Sequence, residues 1–149
     1  MPEYTYNRHA HYEYEILDKY EAGLALSGFE VKSIRSGHIS LQGAYVVIKN
    51  REAFLINANV PAYQSQNTPA GYEPTRSRKL LLHRAEISSL IGKTKQPGLT
   101  LVPLRVYTKS GKLKLEFALA RGKKAFDKRE KIKKREFERQ KQRILKGKE

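Results

Sequence analysis

A chain of 149 residues with no cysteine and a formal charge of +15 has room for one domain around a single hydrophobic core, and it excludes disulfide frameworks, thiolate metal sites and cysteine nucleophiles. No apolar run approaches the about 20 residues needed to span a bilayer, and the polar, aromatic start MPEYTYNRHAHYEYE lacks a signal-peptide core, so a soluble, unprocessed, cytoplasmic protein is expected. The charge is uneven: residues 121–149 carry 14 Lys and Arg against 5 Asp and Glu, which is +9 of the +15, and a tail built this way calls for a polyanionic partner.

Residues 1–120 read as the folded domain, with residues 1–11 as a loose lead-in. From about Glu13 to Leu26 the apolar spacing predicts an extended strand whose irregularity is marked by Gly23. Ser27 followed three residues later by Glu30 is a helix-start signature. Gly37 supplies the stop, with Phe29, Val31 and Ile34 facing inward and Lys32, Ser33, Arg35 and Ser36 outward. Two β-branched runs, Ala44 to Lys49 and Ala53 to Asn59, flank the polar Asn50-Arg51-Glu52 as a hairpin.

Val60 to Arg78 contains Pro61, Pro69 and Pro74 and reads as a long, uncovered loop of the kind that binds something or is disordered. Its end sets Arg76, Arg78 and Lys79 beside the apolar Leu80-Leu81-Leu82, which places cations on the lip of a buried strand. His83 to Ile91 has helical spacing closed by Gly92. Leu99 to Tyr107 and Leu113 to Leu119 are strands turned at Ser110-Gly111, with one core face and one lysine-bearing face. Pro103 predicts a bulge or an edge position. The sum is a mainly β protein with short helices, a small antiparallel barrel; the oligonucleotide-binding barrel is a natural member of that class.

The tail, residues 121–149, has helix-forming composition between Gly122 and Gly147. Phe126, Phe137 and Ile144 make only a thin apolar stripe, with Ile132 well round the cylinder. It is expected to be disordered alone and helical against a phosphate-rich surface, with the two Phe packing on pockets or bases.

Four His at 9, 11, 38 and 83 lack the spacing of a metal site, so no metal and no cofactor is expected. Of the carboxylates Glu13, Glu15, Asp18 and Glu21, alternation puts Glu13, Glu15 and Glu21 on comparable faces. Nothing marks a nucleophile or a phosphate loop, so the chain does not read as an enzyme. Cations interleaved with nine Tyr and five Phe suit RNA, where Lys and Arg hold phosphates and aromatics grip unpaired bases. Tyr45 and Tyr107 are assigned to core or hairpin packing.

Three blocks in order, Glu21-Ala22-Gly23-Leu24-Ala25-Leu26-Ser27-Gly28-Phe29-Glu30-Val31-Lys32-Ser33, Pro74-Thr75-Arg76-Ser77-Arg78-Lys79-Leu80-Leu81-Leu82-His83, and Gly122-Lys123-Lys124 with Asp127-Lys128-Arg129, strongly resemble the small protein B family, the SsrA-binding proteins of bacterial trans-translation. The resemblance runs from about Asn7 to the end. It implies an oligonucleotide-binding-type barrel with a tail, acting as an RNA chaperone and adaptor. Such a protein binds the tRNA-like part of transfer-messenger RNA (tmRNA) and helps deliver it, with elongation factor Tu, to stalled ribosomes; a monomer is expected.

By position the resemblance places Asn7, Glu21, Leu81 and Lys114 on the tmRNA face, and the basic side chains Arg8, Arg76, Arg78 and Lys79 are added to it. It places Gly122, Lys123, Lys124, Asp127, Lys128 and Arg129 near the decoding centre of the small subunit. The helix beyond, with Lys131, Lys133, Lys134, Arg135, Phe137, Arg139 and Ile144, would lie in the empty mRNA channel. Phe126 stands where some relatives carry His, so stacking is available there and imidazole hydrogen bonding is not. The alternative is a non-enzymatic basic ribosomal or single-strand RNA-binding protein, whose barrel and tail form one undiscriminating electrostatic surface with steep salt dependence.

Overall fold

In the computed structural model, which describes residues 3–62, 68–123, 135, 136 and 139, six antiparallel strands close a ring. They are β2 (Tyr14–Leu24), β3 (Tyr45–Lys49), β4 (Glu52–Ile56), β5 (Arg78–Leu81), β6 (Leu99–Lys109) and β7 (Lys112–Gly122). The order around the ring is β6-β3-β4-β5-β2-β7, and β7 pairs back onto β6. The seam between β3 and β6 is thin, a single register pair of Val46 with Leu101. Closure removes the free sheet edges that would otherwise invite aggregation.

The two tight hairpins form where the sequence places them. Asn50 and Arg51 have φ of 52° and 60°, and Ser110 and Gly111 have 52° and 75°. Two successive left-handed residues twist the chain in the sense of the flanking strands, which is why two-residue turns of this type join antiparallel pairs. The expected bulge is also present, as a register shift between Pro103 and Arg105.

Residues 3–11 do not form the loose lead-in expected of the N-terminus. β1 (Glu3–Tyr6) pairs with β6, and α1 (Arg8–Glu13) follows it. The bulge in β6 explains the docking: Asn7 donates its backbone N–H to the Leu104 carbonyl at 2.7 Å and its side-chain amide to the Pro103 carbonyl at 3.0 Å. Both segments are too short to show a period, so only the partner strand reveals them. The irregularity in β2 lies between Ile16 and Asp18, not at Gly23. That shift reverses the alternation, so Glu15, opposite Arg121, and Glu21, opposite Glu116, occupy opposite faces, while Glu13 ends α1.

α2 (Gly28–Arg35) begins as expected, with the Glu30 carboxylate accepting the Ser27 N–H at 3.0 Å. Glu30 and Ser33 are nevertheless buried. Ser33 turns inward because its hydroxyl donates to the Pro61 carbonyl at 2.7 Å. Glu30 meets the Arg76 guanidinium through both of its oxygens and Arg78 Nε at 2.8 Å. Arg78 also donates to the carbonyls of Ala58 at 2.8 Å and Pro74 at 2.9 Å, and Tyr72 donates its hydroxyl to the Val60 carbonyl at 2.6 Å. The described part of the 60–78 segment is therefore fastened onto α2 by a buried charge cluster, and the reading of an uncovered loop is corrected. α3 (Arg84–Thr94) runs through Gly92 rather than stopping there, and the Thr94 hydroxyl donates back to the Leu90 carbonyl at 2.8 Å.

The barrel interior holds Ile34, Leu41, Leu55, Leu80, Leu90, Leu115 and Phe117. A second, smaller core of Ala10, Val102, Leu104, Ala118 and Ala120 lies on the other face of β6 and β7, with Tyr14 and Ile16 packed against it. The lysine-bearing face expected for β7 is thus only half of that face. Substituting Ala118, which is fully buried, by Leu should cost about 1–3 kcal/mol of stability by overpacking, read as a lower urea midpoint with an unchanged slope.

Candidate nucleic-acid interface

The register across β5, β2 and β7 sets Leu81, Gly23 and Lys114 side by side. Glycine in the middle of that row lets Leu81 lean over the sheet: a Cβ on Gly23 would lie 3.3 Å from the Leu81 Cβ. Leu81 therefore stands as a crest, 55% exposed. On one side of it is a groove of about 650 Å³, lined among others by Glu21, Arg51, Lys79, His83, Arg84 and Lys114. On the other is a groove of about 360 Å³ with walls of Leu24, Leu26, Val31 and Leu113 and cations at Arg35 and Lys112. An exposed leucine between a charged and an apolar groove offers an apolar edge of the kind that can pack on a ribose or a base, beside cations of the kind that can hold phosphates.

Four of the residues singled out in the sequence, Glu21, Lys79, Leu81 and Lys114, meet at this one place. Glu21 accepts a hydrogen bond from the Tyr107 hydroxyl and a 3.5 Å contact from Lys109 Nζ. Tyr107 is 2% exposed, and the Arg105 guanidinium lies 4.4 Å from its ring centre. Arg105 is itself held by Glu116, at 3.3 and 3.4 Å, and by Glu3 at 3.6 Å.

The other residues are distributed differently. Arg78 is 1% exposed, because the alternation of β5 turns Arg78 and Leu80 inward while Lys79 and Leu81 face out. Its guanidinium is committed to Glu30 and cannot lie on the lip; Arg76 is partly exposed but gripped by the same carboxylate. Asn7 lines a separate groove of about 400 Å³ with His9, Tyr14, Gln42 and Tyr45, and Arg8 is exposed at the start of α1. Tyr107 is packed as expected, but Tyr45 is 47% exposed and is no part of the core, since its register partner Ile56 faces outward with it.

Gly122 ends β7. Lys123 is tied to the barrel through its N–H to the Glu13 carbonyl and its ammonium to the His11 carbonyl, both at 2.9 Å. Arg135 and Arg139 are helical and exposed. Lys124, Phe126, Asp127, Lys128, Arg129, Lys131, Lys133, Lys134, Phe137 and Ile144 lie outside the described residues. Arg51, His83 and Arg84 line the groove, and Tyr107 and Lys109 reach it through Glu21, none of them announced by the sequence as part of this site. Arg51 and Lys109 were legible only as hairpin-end cations, and nothing short of strand order brings either to Glu21.

Residues 4–147 match the family model described as SmpB protein. The chain belongs to this family. The SsrA-binding protein of Trichodesmium erythraeum is 53% identical over 140 residues, covering 94% of this chain and 90% of that one. The SsrA-binding protein of Burkholderia vietnamiensis is 51% identical over 141 residues, 95% of each chain. A solved SmpB structure, described as "tmRNA-SmpB: a journey to the center of the bacterial ribosome", is 45% identical to this chain, with a TM-score of 0.67 over 84% of this chain and 87% of that one. The barrel drawn from periodicity is thus the SmpB fold, and the crest and grooves around Leu81 are features of an SmpB family member.

Proposed function

We propose that this protein is an RNA-binding adaptor of trans-translation: the barrel binds the tRNA-like domain of tmRNA through the face around Leu81, and the basic tail engages the small-subunit decoding centre and the empty mRNA channel. The observation that carries the reading is the convergence of Glu21, Lys79, Leu81 and Lys114 on one groove, in a chain about half identical to SsrA-binding proteins over nearly its whole length. Delivery in company with elongation factor Tu, as a monomer and in the cytoplasm, completes the reading. Chemistry is left to the RNA and the ribosome; the protein supplies shape, a carboxylate acceptor and cations.

The division of labour has a physical basis. Lys and Arg in the tail act on any phosphate backbone and lose force as salt rises. A rigid crest flanked by fixed polar groups discriminates by shape, which salt weakens far less. A gel-shift titration of the full chain and of a chain ending at Lys123, against the tRNA-like domain and an ordinary tRNA at two salt concentrations, separates the two. Preference for the tRNA-like domain should survive both higher salt and loss of the tail, while peptide tagging on stalled ribosomes should disappear with the tail. Equal binding of both RNAs, collapsing with the tail, would instead mark an undiscriminating basic RNA-binding protein.

A further inference from the structure

We infer that Tyr107 is a positioning residue for RNA recognition: its buried hydroxyl fixes Glu21 as an anionic, acceptor-only group aimed at a hydrogen-bond donor of the RNA, an exocyclic amino group or a 2′-hydroxyl. The inference rests on the reading of the grooved face as the RNA site. A carboxylate on such a face repels phosphate, so it contributes only if it is held at a point where the RNA offers a donor. Left to itself, a Glu side chain with three rotatable bonds loses rotamer entropy on being fixed. A partner that fixes it beforehand removes that cost from binding.

Tyr107 meets those requirements. It lies on β6, across β7 from Glu21, and its hydroxyl donates to Glu21 Oε2. Its ring is held by burial and by the Arg105 guanidinium at 4.4 Å, itself locked by Glu116. The hydroxyl has its acceptor at the end of a rigid aromatic lever. Oε1 is left with the looser 3.5 Å contact of Lys109 Nζ, and Glu21 lines the groove beside Leu81 and Lys114. The Tyr107 hydrogen bond is also the largest influence lowering the Glu21 pKa from its ordinary value, aided by Lys109 and Lys114. The titratable and charged groups around Glu21 are Tyr107 and Lys109 from β6, Lys114 and Glu116 from β7, and Arg51, Glu52, Lys79, His83, Arg84 and Glu86 lining the same groove.

Tyr107→Phe keeps the ring and its packing and removes only the donor. In the full chain it should weaken binding to the tRNA-like domain about five- to tenfold, the scale of one ordinary hydrogen bond. In a Glu21→Ala background the same substitution should change affinity less than twofold. The Glu21 carboxyl carbon, followed by NMR, should titrate at higher pH in Tyr107→Phe than in wild type. Equal losses in both backgrounds, an unchanged affinity, or an unchanged Glu21 titration would overturn the assignment. If Glu21→Ala itself binds as wild type does, the grooved face is not the RNA site and the inference falls with that reading; if Glu21→Ala loses affinity and Tyr107→Phe does not, Tyr107 alone loses its role.

Discussion

Replacing Glu30 by alanine is expected to destabilise the barrel by about 3–5 kcal/mol, the usual consequence of stripping one partner from a buried ion pair. The reason is the company it leaves. Arg78 is 1% exposed and carries a permanent charge; with Glu30 gone it faces only carbonyls and the Tyr72 hydroxyl. Arg76 loses its bidentate partner and the Ser27 N–H its cap acceptor. Equilibrium urea unfolding measures the loss directly, and Glu30→Gln, which keeps the shape and one acceptor, should fall between the two.

The same cluster sets a pH signature. Burial is the largest single influence on Glu30 and opposes its ionisation, but the hydrogen bonds from Arg76, the Ser27 N–H and Arg78 together outweigh it and hold the carboxyl below its ordinary 4.5. With the folded-state value depressed, the unfolded chain takes up the proton first as pH falls. The stabilisation is complete above about pH 4.5 and is lost as pH drops through the folded-state value. Wild-type stability should therefore decline more steeply below pH 4.5 than that of Glu30→Ala, and parallel pH profiles would show that the cluster does not act in this way.

Leu81→Asp should cost RNA affinity at least about 30-fold, roughly 2 kcal/mol and the size of an interface hot spot, with little change in folding. Leu81 is 55% exposed and packs on Gly23, so its removal leaves no buried cavity and Tm should shift by only about 3 °C or less. At the interface the change is larger. It deletes the crest between the two grooves and sets a second carboxylate near Glu21, where cations would otherwise meet phosphate. Filter binding with the tRNA-like domain, alongside thermal unfolding, checks both halves, and a loss of affinity matched by a collapse in Tm would refute the division.

Much of this molecule was readable because its local signals agree with its tertiary structure. The hairpins at Asn50-Arg51 and Ser110-Gly111 form because those residues suit paired left-handed conformations. Ser27 to Glu30 starts a helix because the carboxylate meets an otherwise unpaired amide, and alternation along Leu113, Leu115 and Phe117 buries one face of β7. The family resemblance, by position, also brought Asn7, Glu21, Leu81 and Lys114 onto one list; the last three share a groove, while Asn7 lines another.

Arg76 and Arg78 show why the remainder was not readable. In sequence they are two cations beside an apolar run and resemble a phosphate-binding lip. Whether a guanidinium faces solvent or the interior depends on the presence of a buried carboxylate, and Glu30 lies 48 residues from Arg78 in the chain. Tyr107 and Glu21 are 86 residues apart, and Asn7 reaches the β6 bulge across 96. The short segments β1 and α1 needed a partner strand before they had any structure to predict. Composition, turn chemistry and strand period are properties of neighbouring residues, and the sequence alone determined them here: a β barrel with short helices and a tail carrying most of the charge. Which charges are buried, which carboxylate is held in place and which leucine stands exposed depend on pairings between distant segments, and closure of the barrel decided those.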